Sequence, residues 1–406
     1  MEILQRVAGS ASASTQSVCY AALSQAYSLN GRIQEGADCA RVALDYAREA
    51  GDDACLCLGQ RLLGLALALN GEFSEAARLS ASATALGELH GWAADDWASA
   101  WTTVLNASRT GEVPAITACL DRLAGAGHGD ALQRAIIHYG NAYVFTLREE
   151  YRSAIVELHA ISHGVDRRSC PPFLVDMALA LNAISLLQLG DQAAALRSVA
   201  DRRSPPTHSV CFELIRATIH IQLGEPREAL RATEPCVHDC PDHSLRTLPS
   251  VLLRRAVASE MLGHSDTADQ EFSRSSHLAA GLSGTAPALG LPLDILERLL
   301  LRLVANEPEF GREVLKRLPP DGRYPDVPTS SVEAVRLTAR ERVLAEWLIS
   351  GLTLTEIADE LHVSINTLKT QSRSLYRKLE VSSRAEAVQR LERMPHVVET
   401  AARLRP

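Results

Sequence analysis

The feature that most constrains the fold of this chain is a turn that recurs about every forty residues through its first three quarters. Each turn follows an apolar segment and contains Gly or polar residues. In most cases a small residue follows six to eight positions after the start of the turn. The turns are Leu29-Asn30-Gly31, Leu69-Asn70-Gly71, Thr110-Gly111, Leu147-Arg148-Glu149, Leu189-Gly190-Asp191, Leu223-Gly224-Glu225 and Leu262-Gly263-His264.

The turn chemistry predicts stacked helical hairpins. Gly at a helix end adopts the left-handed conformation that closes the first helix. A small residue on the second helix lets the two helices approach closely, and stacked hairpins then bury a continuous apolar core. We expect the small residues to be Ala37, Ala77, Ala154, Ala195, Ala229 and Ala268. The pattern resembles lengthened tetratricopeptide repeats, and the alternative is a generic helical bundle in which the turns recur by coincidence.

Composition supports an all-α fold: 46 % of residues are hydrophobic but only 4 % are aromatic, and Ala and Leu dominate. We expect tetratricopeptide-like repeats over residues 1–284, a further helical pair over 285–318 that closes the solenoid, and a Pro/Gly/Ser-rich linker over 319–334. A small four-helix domain at 335–395 and a tail at 396–406 complete the expected organisation. The sequence contains neither a long uncharged apolar stretch nor a secretory signal, so the interpretation is a cytoplasmic protein without a membrane partner.

Capping residues place four short helices in the C-terminal domain. Thr338 with Glu341, Thr353 with Glu356, and Ser383 with Glu386 have the spacing of reciprocal capping boxes, and Ser364 precedes the remaining helix. Gly351 is expected to close the first helix. The short connection between the second and third helices predicts the sharp crossing of a helix-turn-helix.

The third helix of this domain, Ser364 to Leu379, carries four basic residues and no acidic one. Lys369 and Arg373 are four residues apart and share a face with Thr370, which predicts a surface that lies in a DNA major groove. Arg377 and Lys378 follow on the same helix. The alternative is an ordinary solvated basic face.

Charge is divided unevenly along the chain. The net charge is −8; residues Leu337–Pro395 contribute +1 and the tail contributes +1, which leaves −10 on residues 1–336. A protein that contacts nucleic acid through one small module does not need to be basic overall.

These C-terminal residues resemble the DNA-binding domain of the LuxR family of bacterial regulators. The match extends without a gap over about fifty-five residues, including Arg340-Glu341-Arg342, Glu356-Ile357-Ala358, Arg377-Lys378-Leu379 and Glu386-Ala387-Val388. The resemblance implies that Lys369, Thr370 and Arg373 face base edges, and that Asn366, Thr367, Arg377 and Lys378 lie near phosphates. It also implies that the fourth helix pairs two copies. Ala387, Val388 and Leu391 lie on one side of that helix, and a small apolar surface outside a three-helix core predicts that they form the dimer contact.

Helical repeats followed by this domain resemble the large MalT-like members of the family, which also carry an ATP-binding domain. This sequence has no Gly-Lys pair and therefore no phosphate-binding loop of that type, so we expect no nucleotide hydrolysis. The chain is interpreted as a short member or as the back part of a longer one. Its expected partners are double-stranded DNA, a second copy, RNA polymerase, and an unknown small ligand or protein on the solenoid.

The functional interpretation is a sequence-specific transcription regulator that is controlled through its helical repeats by a ligand or partner. The alternative is an interaction scaffold whose helix-turn-helix has lost DNA binding. The sequence shows no signature of a nucleophile with its base, so no enzymatic activity and no cofactor are expected. Cys236, His238, Cys240 and His243 fall within eight residues, and soft ligands at such close spacing could hold zinc. Their spacing matches no familiar finger, and zinc sites usually join two separated ligand pairs, so the favoured interpretation is reduced thiols and surface histidines.

Overall fold

The structure is a computed structural model of the 406-residue chain. It describes residues 11–92, 96–125, 129–164, 167–240, 242–282, 290–317, 344–345, 347–348, 352–360, 364–378, 381 and 383–391. Two compact units divide the chain, residues 1–327 and residues 328–406. Their boundary falls inside the predicted linker, residues 319–334, all of which lies outside the described residues.

The predicted all-α fold is confirmed, because the described residues form helices, turns and loops and no β-strand. None of the described helices is both long and apolar enough to cross a membrane. In chain order the helices are α1 (Ala13–Leu29), α2 (Ile33–Ala50), α3 (Asp53–Asn70), α4 (Phe73–His90), α5 (Trp97–Thr110), α6 (Val113–Gly125), α7 (Ala131–Leu147), α8 (Tyr151–His163), α9 (Pro172–Gln188), α10 (Gln192–Val199), α11 (Phe212–Leu223), α12 (Pro226–Ala232), α13 (Glu234–His238), α14 (Leu248–Met261), α15 (Ser265–Gly281), α16 (Leu293–Asn306), α17 (Pro308–Arg317), α18 (Leu354–Glu360), α19 (Ile365–Lys378) and α20 (Arg384–Leu391).

The predicted turns join the two helices of each hairpin. One residue of every turn has a positive φ: six are glycines, Gly31, Gly71, Gly111, Gly190, Gly224 and Gly263, and the seventh is Glu149. At the start of several hairpins an Asp side chain accepts hydrogen bonds from the first free N–H groups, as Asp52 does for α3 and Asp130 for α7. The turns and caps together fix where each hairpin begins and reverses.

The small residue of each hairpin lies five positions after the residue with positive φ. It is Gly36, Ala76, Ala154, Ala195, Ala229 or Ala268, and all of these are buried. The prediction of Ala77 is therefore wrong by one position, since Ala77 is exposed. Ala37 is buried as predicted, next to Gly36. In the remaining hairpin the position is occupied by Ile116, which is fully buried.

Buried apolar side chains of the repeat unit form two main clusters. The larger one extends from α1 to α11 and contains the fully buried Trp101 and Phe173, whose ring centres are 6.5 Å apart. The smaller one extends from α11 to α17 and includes Leu296, Leu299 and Leu303 of α16. Helices α16 and α17, which lie within residues 285–318, pack on the last repeat.

The C-terminal unit has a core of its own. Its members are Leu344, Ala345, Leu348, Ile357, Ala358, Leu368, Leu375, Ala387 and Leu391, each of which is 4 % exposed or less. The described residues 344, 345, 347 and 348 are helical and supply the first part of this core. Four helical segments therefore pack around one small apolar centre.

Candidate nucleic-acid interface

The helix that precedes the basic helix begins with a reciprocal cap. The N–H of Thr353 donates to Oε2 of Glu356 at 2.7 Å, and the N–H of Glu356 donates to Oγ1 of Thr353 at 3.3 Å. The hydroxyl of Thr353 donates to the same carboxylate, and these bonds hold the pKa of Glu356 below its usual value. The predicted capping box is confirmed, and it fixes the start of α18. The predicted first box, Thr338 with Glu341, and Gly351 lie outside the described residues.

The basic helix α19 is held in place by its buried side. Leu368, Ser372 and Leu375 are at most 3 % exposed and pack into the domain core with Ile357 of α18. The helix begins with a hydrogen bond from the N–H of Leu368 to the carbonyl of Ser364, at 3.0 Å. The apolar spacing of three and four residues gives the helix one inward face, so the opposite face points away from the core.

The outward face of α19 presents a row of positive charges. Lys369, Arg373 and Arg377 are all exposed and follow one another at intervals of four residues, so they lie along one side of the helix. None of the three forms an ion pair with a described residue. We call these three side chains the basic row.

Four other predicted contact residues lie on the same helix. Asn366, Thr367, Thr370 and Lys378 all fall within α19, but the directions of their side chains lie outside what the structure describes. Their predicted roles at base edges and phosphates therefore stay predictions.

The last helix differs from the prediction in one respect. Ala387 and Leu391 were expected to form an apolar surface outside the core with Val388, but both are fully buried within it. The reason is that α20 packs on the other helices as a fourth member of the core and is not an external addition. Only Val388 of the three keeps partial exposure.

Arg384 has a role that the sequence analysis did not assign. Its guanidinium donates a hydrogen bond to the carbonyl of Leu352, just before α18 begins. This hydrogen bond joins the start of α20 to the segment just before α18 and so stabilises the packing of the helix-turn-helix. Its only sequence signal was its place in the family pattern.

Comparison with known proteins agrees with this geometry. Residues 335–391 match the family described as bacterial regulatory proteins, luxR family. This segment is therefore a helix-turn-helix domain of the LuxR family, as its residues predicted. The matched segment contains the whole of α18, α19 and α20.

Individual relatives match over the same end of the chain. The HTH-type transcriptional regulator MalT of Yersinia pestis (strain Pestoides F) is 41 % identical over 71 residues, which are 18 % of this chain and 8 % of that protein. MalT of Vibrio cholerae is 36 % identical over 85 residues, which are 21 % of this chain and 9 % of that protein. The chain thus covers less than a tenth of the length of these relatives, and the similarity concerns the C-terminal domain.

Proposed function

We propose that this protein is a bacterial transcription regulator that reads DNA in the major groove with α19. The observation that carries the proposal is the basic row, three exposed cations that form no ion pair with a described residue, on a helix whose opposite face packs into a core. Two of the three lysines of the whole chain, Lys369 and Lys378, lie on this helix. The family of the domain supports the same function.

The positions along the basic row suggest different tasks. Arg and Lys side chains recognise guanine through its O6 and N7 atoms, and we assign this role to Lys369 and Arg373 in the middle of the helix, together with Thr370. Arg377 lies near the C-terminal end and is assigned to phosphates, together with Lys378, Asn366 and Thr367. Base contacts would specify the sequence and phosphate contacts would set the register.

This division predicts distinct effects of single substitutions. Lys369→Ala or Arg373→Ala should weaken binding to the preferred site by about 1–3 kcal/mol and reduce discrimination against random DNA. Arg377→Ala should weaken binding to all sequences alike and reduce the salt dependence of log Kd by about one unit. Fluorescence anisotropy with specific and random duplexes over a salt series measures both quantities.

A matched control comes from the same domain. Glu356→Gln changes a charge at the start of α18, outside the basic row, and should leave discrimination unchanged. If all three basic substitutions weaken specific and random DNA equally, the proposed division between base and phosphate contacts is wrong.

We also propose that two copies bind a two-fold symmetric site. Val388 is the partly exposed apolar residue of α20 that remains for such pairing. The half-sites would lie about one DNA turn apart, near 10 base pairs from centre to centre. RNA polymerase is a further proposed partner, and the cytoplasm, where bacterial DNA is located, is the proposed location.

The repeat unit is proposed to control the DNA-binding domain in response to a ligand or a partner protein. Its support is the charge division: the −10 segment is joined through a Pro-rich segment to the helix that carries the basic row. A tethered acidic surface reaches an effective concentration on the order of millimolar, so even a weak contact would compete with phosphates.

This control predicts that residues 330–406 alone bind DNA more tightly than the full chain at low salt. The difference should shrink as salt rises, because screening weakens contacts between exposed charges. Equal or tighter binding by the full chain across the salt series would instead assign the repeat unit a role in dimerisation.

The alternative function is an interaction scaffold without DNA binding, which the exposed basic row disfavours. A regulator of this kind needs no catalytic chemistry, and we propose none for it.

A further inference from the structure

Two Cys and two His side chains meet inside the repeat unit, far from the basic row in sequence. His208, Cys211, Cys236 and His243 each offer a ligand atom, and these four atoms all lie within 4.8 Å of one another. We call this group the Cys2His2 cluster. Three of its members are buried and His208 is half-buried.

The cluster joins two separated pairs of ligands. His208 and Cys211 come from the segment before α11, whereas Cys236 belongs to α13 and His243 to the segment before α14. Of the four residues considered from sequence, the structure therefore retains Cys236 and His243. Cys240 instead directs its thiol to the carbonyl of Pro206 at 3.3 Å.

His238 is also outside the cluster. Its imidazole pairs with the carboxylate of Glu234 at 3.2 Å and is largely exposed. The missing partners, His208 and Cys211, lie about one hairpin upstream, which is why local spacing did not reveal them. A fold that brings two hairpins together supplies the separated ligand pairs that the sequence alone lacked.

The distances fit a tetrahedral metal site. Zinc bonds of about 2.3 Å to sulfur and 2.0–2.1 Å to nitrogen place tetrahedral ligands about 3.8 Å apart for two sulfurs and about 3.6 Å apart for sulfur and nitrogen. Here Sγ of Cys211 and Sγ of Cys236 are 3.6 Å apart. Nδ1 of His208 lies 3.4 Å from the sulfur of Cys236 and 3.8 Å from that of Cys211.

His243 supplies an independent indication of a ligand. Its side chain belongs to a residue only 6 % exposed, and its Nε2 atom is buried without a hydrogen-bond partner. Its Nδ1 atom lies 3.2 Å from the carbonyl of Ser244. A histidine that binds a metal commonly donates its other ring N–H to such a carbonyl, which leaves the opposite nitrogen with a lone pair for the metal.

Negative charge around the cluster also favours a cation. The carboxylate of Glu213 approaches Nδ1 of His208 to 3.6 Å and the sulfur of Cys211 to 3.7 Å, in a place where its side chain is 14 % exposed. Arg216 pairs with this carboxylate at 3.0 Å. A carboxylate this close to the ligand atoms favours a cation among them.

The backbone at His208 has an unusual conformation that is held by hydrogen bonds. His208 has a left-handed φ of 50°, which is uncommon for a residue other than Gly. Its N–H bonds to the carbonyl of Pro205 at 2.8 Å, and its own carbonyl accepts a bond from Oγ1 of Thr247 at 2.7 Å. The hydrogen bond from Thr247 therefore joins the segment before α14 to the segment before α11 next to the ligands.

We propose that the Cys2His2 cluster binds one structural Zn²⁺ ion that fastens the segment before α11 to the segment before α14. The two sulfurs and Nδ1 of His208 have tetrahedral spacing, and the ligand atom of His243 lies within 4.8 Å of all three. Four protein ligands of soft and borderline character fill the positions of a tetrahedral ion, which is the arrangement of a structural site and not of a catalytic one. A pocket of about 180 Å³ lined by Gln34, Asn70, Thr207, Asp242 and His243 adjoins one of the ligands.

The test begins with the wild-type full chain, purified without chelator under reducing conditions. Mass spectrometry of bound metals should find one zinc per chain. Replacement by Co²⁺ should give the intense visible absorption of tetrahedral cobalt together with a thiolate-to-cobalt charge-transfer band. Removal of the metal by a chelator should lower the Tm of the repeat unit, because the metal binds only the folded chain.

Substitutions then assign the ligands. Cys236→Ser and His243→Ala should each lose the bound zinc and the sensitivity of Tm to chelator. Cys240→Ser is the matched control: it removes a thiol four residues from Cys236, outside the cluster, and should keep both properties.

Three results of the metal-binding measurements would overturn the proposal. One is wild-type protein that takes up no Zn²⁺ or Co²⁺ even when the ions are added under reducing conditions. Another is a cobalt spectrum without thiolate bands. The last is equal metal loss in Cys240→Ser and Cys236→Ser. A disulfide between Cys211 and Cys236 that persists under the reducing conditions also contradicts it, since both sulfurs would then be lost as ligands.

Discussion

Leu368→Ala is expected to unfold the C-terminal domain and abolish DNA binding by the full chain. Leu368 is fully buried where α19 meets α18 and α20. Truncation of such a side chain costs about 2–5 kcal/mol, since it removes apolar contact and leaves a cavity. A domain of this size rarely has more than about 3–5 kcal/mol of stability, so the loss removes most of it.

The neighbouring Lys369→Ala is the matched control for this prediction. Lys369 is exposed on the opposite face, so its truncation should change the stability of the domain by no more than about 0.5 kcal/mol while it weakens DNA binding. Hydrogen exchange measured by mass spectrometry on the full chain separates the two cases. Leu368→Ala should lose protection in α19 and α20, and Lys369→Ala should retain it. Retained protection and DNA binding in Leu368→Ala would show that this core does not hold α19 in place.

Gly71→Ala is expected to destabilise the repeat unit by about 2–4 kcal/mol, combining left-handed strain with the loss of buried hydrogen bonds. Gly71 has a φ of 100°, and a Cβ atom there would lie 2.6 Å from the backbone nitrogen of Arg246. That nitrogen donates a hydrogen bond to the carbonyl of Asn70 at 2.8 Å, and the hydroxyl of Ser244 donates to the same oxygen at 3.1 Å. The added methyl group would push the later segment away from this turn.

Gly190→Ala provides the comparison. Gly190 has a φ of 77°, but no atom lies within 4 Å of the position of an added Cβ. Only the left-handed strain applies, about 1 kcal/mol. Thermal unfolding followed by circular dichroism should therefore show a clearly larger fall of Tm for Gly71→Ala, by several degrees. An equal fall of Tm in both variants would mean that the contact between Gly71 and Arg246 does not contribute to stability.

Local chemistry was enough to predict much of this fold. The turn residues with positive φ were found from sequence, because a left-handed helix end has a strong preference for Gly. The one polar case, Glu149, was found only through its register with the other turns. The spacing error at Ala77 arose because two adjacent alanines, Ala76 and Ala77, both satisfy a rule based on small size. Only the packing of the second helix decides which of them is buried.

The residues of the two candidate sites could be predicted from sequence only where the signal is local. The basic row follows from helix periodicity, which is a property of neighbours in sequence. The burial of Ala387 and Leu391 depends on how α20 packs against helices far along the chain. The Cys2His2 cluster depends on contacts between hairpins. The spacing of Cys236 and His243 alone does not indicate that His208 and Cys211 are their partners.

Genome-wide footprinting of the full chain in its bacterial host, in parallel with Lys369→Ala and Arg373→Ala, tests the proposed DNA reading most directly. The wild-type protein should protect discrete sites that share a motif of two half-sites, about 10 base pairs apart from centre to centre. Both variants should lose these sites at equal protein abundance, because the basic row no longer reads the bases. Absence of reproducible sites for the wild type, or sites that both variants occupy unchanged, would contradict the proposal that α19 recognises DNA.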